Sequence, residues 1–261
     1  MSGDSGKGKY LELMTWKEAE AALQQAAVVL IPLGARTKEH GLHLPLNNDW
    51  IMAEYLTRRV LDRVPAIALP TIQYGYYPAF AEYPGSVSIG KETCRDLIAD
   101  VCRSMSRFGN ARFYILNTGI STLWALEPAR QLLSKENIVM EYTDPGRATA
   151  EIVKKISQQA AGTHADEIET SMMLYMAPEI VRMNLAQKDI SPDQGPGGLT
   201  RDPERKKGVY SATGAWGDPR LATREKGEAV TEALIEHIVS FLHDFQTRDF
   251  APAPVRSKYM E

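Results

Sequence analysis

The chain has 261 residues, 44% of them hydrophobic and 24% charged, with a formal net charge of −3. That is apolar material enough for one sizeable core, and the charge balance supplies no basic face for nucleic acid or an anionic membrane. No apolar run approaches a membrane span, and the opening MSGDSGKGKY lacks the apolar stretch of a signal peptide. The expectation is a cytoplasmic protein with a single α/β domain over 13–248, a disordered tail over 1–12 and a C-terminal tail over 249–261.

Thr15 and Glu18 have the spacing of a capping box, and Ala19, Ala22, Leu23 and Ala26 follow at a helical period. Residues 27–33 (AVVLIPL) form an almost wholly apolar, β-branched run of the kind that lies covered on both faces of a parallel sheet. Gly34 ends it. A helix is expected over 49–64, a strand over 65–69 and a long aromatic-rich loop over 73–87. Then come a helix over 91–108, a strand over 112–117, a helix over 121–134, a strand over 137–142 and a helix over 147–161. Residues 164–175 read as helical, and 185–218 show no regular element. The last expected element is a long amphipathic helix over 222–245, with Val230, Leu234, Ile238 and Leu242 on one stripe. Strands alternating with helices predict a doubly wound, mainly parallel α/β domain. Cys94 and Cys102, eight apart in one predicted helix, fit neither a CxxC redox motif nor a zinc site and read as buried thiols.

In open α/β sheets, ligands sit beyond the carboxyl ends of the strands. Just past the first apolar strand, residues 39–49 hold Glu39, His40, His43 and Asp49. Imidazole nitrogens and carboxylate oxygens are the ligands of zinc and manganese, and such a cation can promote amide hydrolysis. Asp49 read alone could equally cap a helix, and the histidines could be structural. Residues 164–171 form a second candidate. On a helix, His164, Glu167 and Ser171 would share a face, with Asp166 and Glu169 on another; a solvated acidic first turn is the plainer reading. A third is Asn117 to Thr122, after a strand, where Thr118, Gly119 and Ser121 make a loop able to hold an anion or carbonyl oxygen, or where Ser121 simply caps a helix. Trp216, among Gly214, Gly217 and Pro219, reads as a flap over a pocket or as a subunit contact.

Together the apolar strand with Gly34, the stretch from His40 to Asp49, Tyr83 to Ser88 and the stretch from His164 to Leu174 resemble the creatininase family over about 15–245. The resemblance implies a three-layer α/β/α sandwich, a ring-like homo-oligomer (often a hexamer), a small-molecule amide substrate and a two-metal site. In the family, a Glu-x-His pair follows the first strand, and an Asp nine residues after that His bridges the metals. His40 and Asp49 match these positions, whereas Lys38 stands at the Glu position with Glu39 one step away. Asn117 to Thr122 corresponds to the family's Asn-Gly-His-Gly-Gly-Asn segment and lacks its histidine. Glu169 matches the acidic position of the Glu-Thr-Ser segment, and His164 the histidine on the substrate side.

The expected site therefore has Glu39, His40, Asp49 and Glu169 as ligands of zinc or manganese, one ion rather than two. Lys38, His164 and Glu167 are expected in catalysis, and His43, Thr118, Ser121 and Trp216 around the substrate. Three readings stay open: a one-metal hydrolase of a small cyclic or linear amide, which is preferred; a metal-free enzyme with Lys38 as the oxyanion-stabilising cation and Glu167 or His164 as proton carrier; and a catalytically silent homologue that binds a small molecule or serves as a structural subunit.

Overall fold

A computed structural model describes residues 7–191, 198–204, 208–247, 249 and 257–260. Five parallel strands form one sheet in the order β1-β3-β2-β4-β5: β1 Lys9–Tyr10, β2 Val29–Leu33, β3 Ile67–Ala68, β4 Arg112–Asn117 and β5 Val139–Tyr142. The central pair is in register from Val29 opposite Phe113 to Leu33 opposite Asn117. Strands with both faces covered explain the unbroken apolar runs.

Alternate strand residues feed two separate cores. Val29, Ile31, Phe113 and Ile115 pack against α1 (Trp16–Gln25), α3 (Lys91–Ser106) and α4 (Leu123–Ser134). Val28, Leu30, Tyr114 and Leu116 pack against α2 (Asn48–Leu61), α6 (Glu167–Met176) and α7 (Arg224–Thr247), with α5 (Pro145–Ile156) alongside. The result is the expected three-layer α/β/α sandwich. Thr15 makes the expected capping box with Glu18. Cys94 and Cys102 are free and buried; burial pushes their thiols up to about 11 and about 12, so neither is a ready nucleophile.

Three sequence expectations change. Order begins inside the presumed tail, because Lys9 and Tyr10 extend the sheet beside β3; residues 1–6 and 250–256 of the two tails lie outside the described residues. Helix α6 begins at Glu167, since the Asp166 side chain accepts from the amides of Ile168 and Glu169 and caps it there. His164 thus precedes the helix, in a bridge with Trp216. The stretch 185–218 contains a short parallel pair, β6 Leu199–Thr200 with β7 Val209–Tyr210, while 192–197 and 205–207 lie outside the described residues.

Candidate metal and substrate site

The carboxyl ends of β2 and β4 set the site's position. Gly34 turns the chain out of β2, and only a glycine fits there: a Cβ would lie 2.3 Å from the carbonyl oxygen of Asp49. That close approach seats the first turn of α2 at the strand end. Asp49 lies in that turn, where the helix dipole favours a carboxylate.

Asp49 divides its two oxygens. Oδ2 is 2.7 Å from Lys38 Nζ, and Oδ1 is 2.9 Å from His40 Nε2. His40 Nε2 also lies 3.4 Å from Glu169 Oε1. Burial works against charge on Lys38, but Asp49 and Glu169 outweigh it and hold the ammonium above the ordinary lysine value. Burial likewise opposes charge on His40, and the same two carboxylates raise its pKa to about 9. Burial would raise Asp49 and Glu169, yet Lys38 and His40 beside the former, and His40 and His164 beside the latter, keep both carboxyls below their usual range.

Glu169 is held from behind by Asn48 Nδ2 at 3.0 Å and the amide of Ala165 at 2.7 Å. Ala165 has φ +46°, a left-handed conformation that costs a non-glycine residue ~1 kcal/mol or more and that turns its amide onto the carboxylate. His164 Nε2 contacts Glu39 Oε1 at 2.8 Å and the Glu39 carbonyl at 3.1 Å. Its Nδ1 is 3.8 Å from Glu169 Oε2. The Phe80 ring, 4.1 Å from the His164 ring and 4.9 Å from Lys38 Nζ, closes one side.

These contacts fix the proton positions. Carbonyl and carboxylate oxygens only accept, so His164 carries a proton on Nε2 and leaves Nδ1 facing Glu169. His40 Nδ1 donates to the Lys38 carbonyl at 2.9 Å and its Nε2 to Asp49 Oδ1 at 2.9 Å, so without a cation this imidazole carries both protons, and a metal at Nε2 would take the place of the second. Each histidine thus has one nitrogen anchored to an acceptor away from Glu169 and the other turned toward it, at 3.4 Å for His40 Nε2 and 3.8 Å for His164 Nδ1, the arrangement that orients metal-ligating imidazoles. His40, His164 and Glu169 can each present a ligand atom, all within 4.8 Å of one another. That donor set suits one divalent cation. A second fits badly, because the Lys38 ammonium holds the outer oxygen of Asp49 and a cation there would meet it at contact distance.

A cavity of about 390 Å³ has Lys38, His164, Glu169, Thr118 and Ser121 in its lining, whereas His40 and Asp49 lie outside that lining. The other expected residues are engaged elsewhere. Glu39 is buried between His164 and the amide of Gly41, so it braces a ligand instead of joining the cluster. His43 shares a 2.8 Å hydrogen bond with Thr170 and lies outside the cavity lining. Glu167 accepts from Lys226 Nζ, Ser157 Oγ and the amides of Gln158 and Gln159. It ties α5 to α7 and does not face the cavity, because α6 starts at Glu167 itself and turns it away from His164. Trp216 also lies outside the lining; its backbone amide donates to the His164 carbonyl at 2.8 Å. Phe80, Asn48 and the left-handed Ala165 went unread in the sequence. Asn48 stands next to Asp49 at a helix start, which was the one available signal.

Fold and site together define an α/β protein with a histidine–carboxylate cluster at the carboxyl ends of a parallel sheet. The model of the creatininase family, described as creatinine amidohydrolase, matches residues 12–242. The chain belongs to the creatininase family. It is 26% identical to the creatinine amidohydrolase of Pseudomonas putida, over 91% of this chain and 97% of that protein. It is 28% identical to the mycofactocin precursor peptide peptidase of Mycobacterium ulcerans, over 81% of this chain and 83% of that one. A solved structure described as creatininase Mn superposes with a TM-score of 0.81 at 22% identity, covering 93% of this chain and all of its own.

Proposed function

We propose that this protein is a hydrolase of a C–N bond in a small amide, with one divalent cation, zinc or manganese, held by His40, His164 and Glu169. The observation that carries the reading is the approach of His40 Nε2 and His164 Nδ1 to one carboxylate, Glu169, at 3.4 Å and 3.8 Å, with His164 and Glu169 in the lining of the cavity. A cation bound there supplies Lewis-acid polarisation of the scissile carbonyl.

The chain's own groups do the rest. Lys38 Nζ has one proton engaged by Asp49 and two more to donate, so its fixed positive charge, in the cavity lining, can stabilise the oxyanion that develops on the amide. Asp49 keeps that ammonium charged and His40 oriented. Glu39 and the Lys38 carbonyl hold the tautomers of the two histidines. Thr118 and Ser121 line the pocket where the substrate lies. In the overall reaction water delivers hydroxyl to the carbonyl carbon and a proton to the departing nitrogen. The proposal extends to the homo-oligomer, a hexamer, that the family resemblance implies.

One observation favours a second reading. Lys38, Asp49, His40 and Glu169 already neutralise one another, which a metal-free homologue that binds a small molecule would also need. Equilibrium dialysis against zinc or manganese, with metal counted per chain, separates the two. The one-metal reading expects about one ion for the wild type and a rise toward two for Lys38→Glu, which removes the ammonium and adds a carboxylate. Uptake below about half an ion per chain by both proteins would leave only the metal-free reading.

A further inference from the structure

We propose that the substrate of this site is an amide whose non-reacting part is uncharged and largely apolar; this rests on the hydrolase reading for where the amide lies and on the cavity walls for the rest. The apolar walls are Met52 of α2, Val153 of α5, Ile168 and Met172 of α6, Leu234 of α7 and Ile120 of the loop after β4. The neutral polar side chains of Thr149, Ser157, Gln159 and Thr163 interrupt them. At about 390 Å³ the space is within the range of sites that enclose whole small ligands, and far larger than a reacting amide alone requires.

Charge is confined to one group of lining residues. Among the described residues the charged or titratable side chains of the lining are Lys38, His164, Asp166 and Glu169. Three of these form the ion cluster. The fourth is largely engaged by the protein: Asp166 Oδ1 accepts from the amides of Ile168 at 3.0 Å and Glu169 at 2.9 Å, and Oδ2 from Gln159 Nε2 at 2.6 Å, which leaves one acceptor position on Oδ2. A substrate carboxylate away from the amide would therefore lose hydration without gaining a cationic partner, and an ammonium would find only the one remaining acceptor position of Asp166. An alkyl or aryl body would instead displace water from Val153, Met172 and Leu234.

The test is a series of straight-chain primary amides from acetamide to octanamide, together with 8-aminooctanamide and the monoamide of suberic acid. Binding to the full-length protein is measured by calorimetry, once with zinc and once with EDTA. The dissociation constant should fall about fourfold per added methylene from butanamide onward, and both charged analogues should bind at least ~tenfold more weakly than octanamide. Val153→Glu, at a half-buried position, should weaken octanamide and strengthen 8-aminooctanamide. Affinity independent of chain length, charged analogues equal to octanamide, or no binding of any amide would each overturn the proposal. The two readings fail separately. A length trend that persists in EDTA, in a protein that takes up no zinc, keeps the apolar cavity and removes the metal; one zinc per chain with a flat series does the reverse.

Discussion

Lys38 is the residue on which the site turns. A lysine at this depth keeps its charge because Asp49, 2.7 Å away, and Glu169 outweigh its burial, and the resemblance implies that it stands where the family pattern has a metal-binding carboxylate. His43 makes a contrasting case. Burial pushes it down to about 4, so in the folded state it stays neutral where an unfolded histidine would take a proton near 6.5. A depressed folded pKa gives stability that is present above the unfolded value and lost as pH falls toward the folded one. Urea midpoints should therefore drop between pH 7 and 5 by more in the wild type than in His43→Gln; equal drops would contradict the assignment. At this scale the sequence was partly legible. His40 and Asp49 could be read from spacing, because they follow one strand end and start one helix, whereas Glu169 and the oddity of Lys38 were legible only through the family resemblance. That Glu39 braces His164, and that Glu167 faces Lys226, could not, since each depends on a contact across more than fifty residues or on where α6 begins.

At the scale of elements, the crossing of α6 and α7 holds Glu169 in place. Gly227 sits at the crossing, where a Cβ would lie 1.8 Å from the Ser171 carbonyl oxygen, so the helices touch backbone to backbone. Gly227→Ala should destabilise the fold by about 1–3 kcal/mol, although alanine at an open helical site gains up to ~1 kcal/mol over glycine. Gly146→Ala serves as the control, because its Cβ would meet nothing nearer than Asp144 Oδ1 at 3.7 Å. Chemical denaturation of both variants checks this, and a Gly227→Ala protein as stable as wild type would contradict the packing. Most helices were legible from their periodicity. The start of α6 was not, because His164 and Ala165 carry polar and helix-compatible side chains while their backbone is drawn into a bridge with Trp216 and a left-handed turn.

For the whole molecule, the alternation of apolar strands and amphipathic helices made the mainly parallel α/β domain readable, and the family resemblance supplied its three layers. The short edge strands escaped, since Lys9–Tyr10 and Leu199–Thr200 are too brief to show a period. Assembly lies beyond both. Leu13 and Trp16 are 79% and 76% exposed on one chain, surface that an oligomer would cover. Light scattering coupled to size exclusion should give a mass near six times 29.0 kDa; a single species at the mass of one chain would remove the hexamer. The central claim, one cation beside a fixed ammonium, is tested most directly by crystals grown with zinc and measured at its absorption edge. The account expects a single anomalous peak per chain, bounded by His40, His164 and Glu169, with Lys38 still on Asp49. Two peaks, or none at those three side chains, would contradict it.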